Sequence, residues 1–173
     1  YTFHLGTLYL SSYVLSSSFP HALSGNPVFV AGWWMPVQYL GLRQEHLNVR
    51  SRVGLFDVSH MGEIIVEGNE ALQALQWWTT NDVSQLDRGQ AQYSLISNER
   101  GGVVDDLIIY CLEPNTKYLL CVNAANTDKD YAWLQSQNRF DVRVENVSEQ
   151  WGQIAVQGPM AIDLLVEVFG EDL

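Results

Sequence analysis

An α+β fold, one sheet with helices on one face, is predicted by three features of the sequence. Between Glu63 and Val147 the apolar pattern alternates between strand and helix periods in the order β-α-β-β-β-α-β. The strand segments are rich in branched and aromatic residues, and short turns holding Gly, Asn or Pro separate them. Apolar residues make up 47% of the 173 residues and charged ones 17%, enough for one core or two small ones and incompatible with wholesale disorder.

The elements follow in order. Leu42, His46, Val49 and Val53 lie at i, i+4, i+7 and i+11, which predicts a helix over about 40–53 with Gly54 closing it. A loop is expected around Phe56 to Met61. Glu63-Ile64-Ile65-Val66-Glu67 predicts a strand that stops at Gly68, and Asn69 is a candidate cap for a helix over 70–79 carrying Ala71, Leu72, Leu75 and Trp78. Thr79-Thr80-Asn81-Asp82 breaks that helix. Ala91 to Ser97 and Val103 to Leu112 read as a hairpin whose Gly101 and Gly102 supply positive φ. A reversal at Glu113 to Thr116 leads to a strand over Lys117 to Asn123, then to a helix capped by Asn126 or Thr127 and carrying Tyr131 and Leu134. Alternation over Asp141 to Val147 completes the set. Together these elements predict a ferredoxin-like βαβββαβ unit with one extra strand. Trp151 to Val156 predicts a further strand, and Pro159 opens a final helix with Ile162, Leu165, Val166 and Phe169. These last elements have no visible partner, which implies pieces of a second domain.

Charge is uneven. Residues 1–42 contain no Asp, Glu, Lys or Arg, and the whole chain carries a formal net charge of −11. That balance argues against nucleic acid as a partner, since phosphate binding needs clustered Lys and Arg. Tyr1 to Phe19 is uncharged, yet its five Ser, three Tyr, two Thr and one His make it marginal for spanning a membrane, so no membrane partner is expected. Residues 1–27 stand apart as atypical, a candidate unstructured segment. The chain opens without Met and has no basic leader region, and a fragment of a longer protein is expected. Cys111 and Cys121 sit in apolar runs and read as buried free thiols. Trp33-Trp34 and Trp77-Trp78 read as core or interface packing.

The chemistry centres on Asp105-Asp106 within Gly101-Gly102-Val103-Val104-Asp105-Asp106-Leu107-Ile108-Ile109-Tyr110. Adjacent residues on a strand point to opposite faces, so one of the two carboxylates aims at covered surface. A buried carboxylate without a partner costs several kcal/mol or becomes neutral, which implies a partner or a function. The alternative is a strand end where both reach water or cap the turn. By spacing alone the choice between Asp105 and Asp106 stays open. Tyr93 and Asn123, on flanking strands, can project beside the carboxylate. His46 and His60 have no third ligand at a metal spacing, so no metal is expected. Nucleotide-loop, serine-elbow and Cys–His patterns are absent.

Several motifs resemble those of the aminomethyltransferase (T-protein) family of glycine cleavage. They are Ala31 to Tyr39, Glu45-His46 through Arg50, Gly54-Leu55-Phe56-Asp57-Val58-Ser59-His60-Met61-Gly62, Thr79 to Val83, Gly89 to Ser94, Gly101 to Leu107, Val122 to Asn126, Lys129-Asp130 and Ala155-Val156-Gln157-Gly158-Pro159. The resemblance runs in order from about Val28 to Leu173. It implies a folate-binding aminomethyltransferase fold in which a ferredoxin-like lobe, 62–148, is inserted into a split first lobe, 28–61 and 149–173, with the C-terminal part of the fold missing. It implies transfer of the methylene of a lipoyl-bound aminomethyl group to tetrahydrofolate with release of ammonia, with the lipoylated H-protein as partner and tetrahydrofolate as co-substrate. It assigns Asp106 as the catalytic carboxylate and Met61, Tyr93 and Asn123 as pocket residues around the folate. It places the protein in the cytoplasm of a bacterium or the mitochondrial matrix of a eukaryote, and the segment alone is expected to be inactive. Two related readings share this architecture: the folate-binding lobe of a sarcosine or dimethylglycine oxidising enzyme, and a non-enzymatic folate-binding factor of iron–sulfur assembly. The intact Phe56 to Met61 run and the double Asp favour the aminomethyltransferase.

Overall fold

The computed structural model describes residues 27–30 and 33–170. The expectation for residues 1–26 lies outside the described residues. Contacts divide the chain into two compact units, Met61–Trp151 and a second formed by the residues up to His60 together with those from Gly152 onward.

The Met61–Trp151 unit is an antiparallel sheet of five strands. Its elements are β4 (Gly62–Gly68), α2 (Ala71–Trp78), β5 (Ala91–Ser97), β6 (Val103–Glu113), β7 (Lys117–Val122), α3 (Thr127–Gln137) and β8 (Val142–Asn146). The strand order is β5-β6-β7-β4-β8, which is the ferredoxin-like order with β5 added at one edge. The pleat sorts side chains by face. Ile64 and Val66 of β4, Leu107 and Ile109 of β6, and Leu120 and Val122 of β7 meet Ala74, Leu75 and Trp78 of α2 and Leu134 of α3 in the core. Each large apolar side chain fully buried there contributes about 1.5–3 kcal/mol of transfer free energy. The opposite face carries a smaller cluster of Ile65, Leu119 and Val147 with Tyr110 and Leu112 against it.

Several local details differ from the sequence reading. Asn69 does not cap α2: its amide bonds Asp141 Oδ2 at 3.0 Å, and the Leu72 N–H at the helix start donates to the Asn115 carbonyl instead. Asn126 stands at the start of α3, but its side chain turns away from the helix toward the sheet. Trp78 is in the core, whereas Trp77 is 60% exposed with the Arg139 guanidinium stacked 3.8 Å from its ring centroid. In the turn before β6, Gly101 alone of the glycine pair takes positive φ, +75°. Asn98 Oδ1 closes that turn by accepting from the N–H groups of Arg100 and Gly102, each at 3.0 Å. Cys111 and Cys121 are both buried.

The second unit holds β1 (Pro27–Val30) paired with β2 (Trp33–Pro36), then α1 (Leu42–Ser51), β3 (Gly54–Asp57), β9 (Ile154–Gln157) and α4 (Ala161–Phe169). One carboxylate oxygen of Glu45 accepts from the N–H groups of Tyr39, Leu40 and Gly41 at 2.6–2.9 Å and so fixes the chain entering α1. Leu42 and His46 of the expected helix face are exposed, while Val49 and Val53 are half-buried. Where a loop was expected, β3 forms. Its partner is β9, joined antiparallel from Gly54↔Gln157 to Asp57↔Ile154, so its strand character comes from a segment far along the chain rather than from its own four residues. Gly54 therefore opens a strand instead of closing a helix, and a Cβ there would lie 2.6 Å from Val49 Cγ2. Helix α4 starts at Ala161, two residues beyond Pro159. Among the described residues no helix is long and apolar enough to cross a membrane.

Candidate active site on the sheet of the Met61–Trp151 unit

The two aspartates of β6 point to opposite faces. Asp105 shares the helix-covered face with Leu107, Ile109 and Cys111 and is 9% exposed, while Asp106 lies half-buried on the other face with Ile108 and Tyr110. Their partners differ. Asp105 Oδ1 accepts from Asn123 Nδ2 at 3.0 Å and from the Asp106 N–H at 2.9 Å, and its Oδ2 accepts from Asn126 Nδ2 at 2.8 Å. Burial opposes its ionisation, but hydrogen bonds from Asp130, Asn126, Asn123 and the Asp106 N–H outweigh that and hold its pKa below the usual carboxylate value. Asp105 is thus committed to the fold.

Asp106 keeps acceptor capacity for a ligand. Its Oδ1 accepts from Asn123 Nδ2 at 2.8 Å, and the Tyr93 hydroxyl hydrogen-bonds to it. The register explains how the four residues singled out in the sequence come together. Val122 is opposite Leu107 on one side and Gly62 on the other. One step further along, Asp106 lies on β6, Asn123 directly follows β7 and Met61 directly precedes β4. Tyr93 faces Ile108 across the β5–β6 pair, in the next row of the same face. Partial desolvation, the hydrogen bond to Asp106 and the negative charges of Asp106 and Asp105 all push the Tyr93 phenol above its ordinary pKa, so it remains a proton donor at neutral pH. The face thus presents a carboxylate, a phenol and an amide, with Met61 at the adjoining end of β4.

Two buried carboxyls escaped the sequence reading. Glu63 lies on the site face of β4, opposite Cys121, is 1% exposed, and neither of its carboxyl oxygens has a hydrogen-bond partner. Burial pushes its pKa up to about 7, against a smaller lowering by its own backbone N–H. Asp130 of α3 is fully buried and faces the sheet beside Asp105. A signal for it was present: Asp130 and Leu134 are four residues apart, on the helix stripe that faces the core, and a charge on such a stripe needs a partner. The signal for Glu63 was weaker, because a Glu at a strand end ordinarily reaches water.

Comparison with known proteins places these residues in a family. The chain is 57% identical over 147 residues to an aminomethyltransferase of Bdellovibrio bacteriovorus, covering 85% of this chain and 41% of that protein. It is 52% identical over 143 residues to an aminomethyltransferase of Staphylococcus carnosus, covering 82% of this chain and 39% of that one. The crystal structure of the glycine cleavage system aminomethyltransferase T from Bartonella henselae superposes with a TM-score of 0.77 at 37% identity, over 87% of this chain and 42% of that one. The chain therefore spans about two fifths of the length of the curated relatives it matches. The GCVT N-terminal domain family matches residues 20–173, and with the α+β architecture and the relatives it shares, the chain belongs to that family.

Proposed function

We propose that the chain supplies the Asp106 side of the folate site in a glycine-cleavage aminomethyltransferase, which moves the methylene of a lipoyl-bound aminomethyl group to tetrahydrofolate and releases ammonia. The observation that carries this reading is the gathering of Tyr93 and Asn123 around Asp106, with Met61 at the adjoining strand end, in a chain 57% identical to an aminomethyltransferase. The attacking nitrogen of tetrahydrofolate must shed a proton as its new C–N bond forms, and the Asp106 carboxylate is the acceptor on this face. Asn123 and Tyr93 donate to Asp106 and hold it in one orientation. Met61 offers a polarisable, adaptable surface for a flat ring. The aminomethyl donor is the lipoylated H-protein, and the reaction runs in the cytoplasm of a bacterium or the mitochondrial matrix of a eukaryote. In the longer fold, 28–61 and 149–173 form the split lobe and 62–148 the inserted one. The remaining folate contacts lie in the part of the relatives' length that this chain does not cover.

The test is a full-length enzyme in which this chain replaces the matching segment of the Bdellovibrio bacteriovorus relative. Asp106→Asn keeps the shape and the Asn123 contact but removes the proton acceptor, and aminomethyl transfer is expected to fall by about 10²–10⁴-fold. Transfer within a few-fold of the unsubstituted enzyme overturns the assignment.

A further inference from the structure

Behind the site face, on the helix side of the sheet, two carboxyl groups meet. Asp130 is fully buried, and its oxygens have no well-aligned hydrogen bond, only a long ion-pair contact from Lys129 Nζ to Oδ1. Its polar neighbours are the Asp105 carboxyl and the Lys129 ammonium, and a carboxylate can only accept. The ammonium of Lys129 lies between them, 3.9 Å from Asp105 Oδ2 and 3.4 Å from Asp130 Oδ1, but that nitrogen is anchored on the Val104 carbonyl at 2.9 Å. One cation beside two adjacent carboxylates leaves one negative charge uncompensated in a buried place, and the arrangement is satisfied when one of the two carboxyls carries a proton. Asp105 already accepts from Asn123, Asn126 and the Asp106 N–H, so the proton belongs on Asp130.

The chain of contacts does not stop there. The Asn123 amide has two N–H groups, and they bridge Asp105 Oδ1 at 3.0 Å and Asp106 Oδ1 at 2.8 Å. With Asp105 an acceptor only, the Asn123 NH2 is forced toward both aspartates, and the opposite amide orientation would set its oxygen against carboxylate oxygens. We propose that Asp130 and Asp105 share one proton as a positioning pair that locks the Asn123 amide and through it aims the Asp106 carboxylate. Asp130 is a positioning residue here, since it lies on the face of the sheet away from the site. The inference rests on the reading of Asp106 as the reacting carboxylate.

Burial and the Asp105 charge push Asp130 up to about 7, with Lys129 pulling the other way. The charged groups that act on Asp130 are Asp105 and Lys129, and β4 and β8, which pack against α3, contribute the uncharged Ile64, Val66 and Val144 to the core shared with Leu134. Above neutral pH the pair loses its proton, two carboxylates face each other, and their repulsion pushes Asp105 out of line with the Asn123 amide.

The full-length enzyme described above, labelled with ¹³C at its Asp carboxyls, provides the test. The resonance lost in Asp130→Asn is expected to titrate near pH 7, and the Asn123 side-chain amide signals are expected to shift with the same midpoint. Asp130→Ala is expected to lower kcat at pH 6.5 by about ten-fold or more with KM for tetrahydrofolate little changed, the signature of misaimed chemistry rather than lost binding. Asp130→Asn, which can still donate to Asp105, is expected to recover most of that loss and to flatten the fall in kcat between pH 6.5 and 8.5. An Asp130 titration near the ordinary value of about 4, or an Asp130→Ala enzyme with kcat close to that of the parent, overturns the proposal. Absence of transfer in the unsubstituted enzyme refutes the functional reading instead, and the carboxyl titration then decides the pair.

Discussion

Asn123→Asp replaces the amide that separates Asp105 from Asp106 with a third carboxylate. The amide nitrogen lies 3.0 Å from one aspartate oxygen and 2.8 Å from the other. Losing two charge-assisted hydrogen bonds costs about 1.5–3 kcal/mol for each. A new negative charge at such a distance costs about 5 kcal/mol more for each pair at an effective dielectric near 20. That exceeds the cost of taking up a proton, so the cluster binds one, and the penalty is capped by the free energy of protonating a carboxyl whose unfolded pKa is about 3.9. The cap is about 5 kcal/mol at pH 7.5 and about 1.5 kcal/mol at pH 5.0. The carboxyl pKa is raised in the folded state, so stability is retained at low pH and lost as pH rises. Asn123→Ala removes the same hydrogen bonds without adding charge and serves as the reference. Urea denaturation of the chain followed by far-ultraviolet circular dichroism is expected to show Asn123→Asp less stable than Asn123→Ala at pH 7.5, with the gap shrinking by up to about 3 kcal/mol at pH 5.0. A gap that is absent at pH 7.5, or that does not change with pH, refutes the idea that this amide holds the two aspartates together.

Two further outcomes are expected from the same fold. Leu75→Ala empties a fully buried position under the sheet and should cost about 2–5 kcal/mol in urea denaturation, whereas Trp77→Ala at an exposed stacked position should cost about 1 kcal/mol or less; equal effects would mean that the core is misplaced. Glu63 has its pKa raised to about 7 by burial, so the folded state loses stability as pH rises from about 4.5 toward 7. Glu63→Gln should flatten that decline and be the more stable protein at pH 8, and parallel pH–stability curves for the two proteins would show that Glu63 is not buried as described.

The parts of this molecule legible in its sequence are those whose signal is local. Strands β4 to β8 and helices α2 and α3 each carry enough periodic positions to declare themselves, and the turns between them are marked by Gly101, Asn115 and their neighbours. The alternation rule made one of the two β6 aspartates an anomaly, and only three dimensions show that Asn123 and Asn126 bond the buried one, Asp105, whereas the expectation for Asp106 rests on the family resemblance. Strand β3 was unreadable because the residues that make it a strand are those of β9. Asn126 looked like a helix cap because capping is what Asn ordinarily does before a helix. A buried carboxylate outbid the helix for its amide. Trp77 and Trp78 look alike in sequence, and the helix rotation that separates them into surface and core is set by the packing of the whole sheet.

The pairing of β3 with β9 also has a kinetic side. Closing a ring of about a hundred residues to bring Asp57 opposite Ile154 is entropically expensive, yet the sheet of the Met61–Trp151 unit shortens the problem by itself. Its first strand binds its last, and the Val147 N–H donates to the Glu63 carbonyl at 2.8 Å, so the two chain ends leaving that sheet emerge side by side. Once it has formed, the ring still to be closed is about a dozen residues, which saves about 2 kcal/mol of closure entropy. The topology therefore favours forming that sheet before the β3–β9 pair. The intervening sheet acts as the clasp that sets the effective concentration of β3 for β9, and damage to the β4–β8 seam would weaken that strand pair as well.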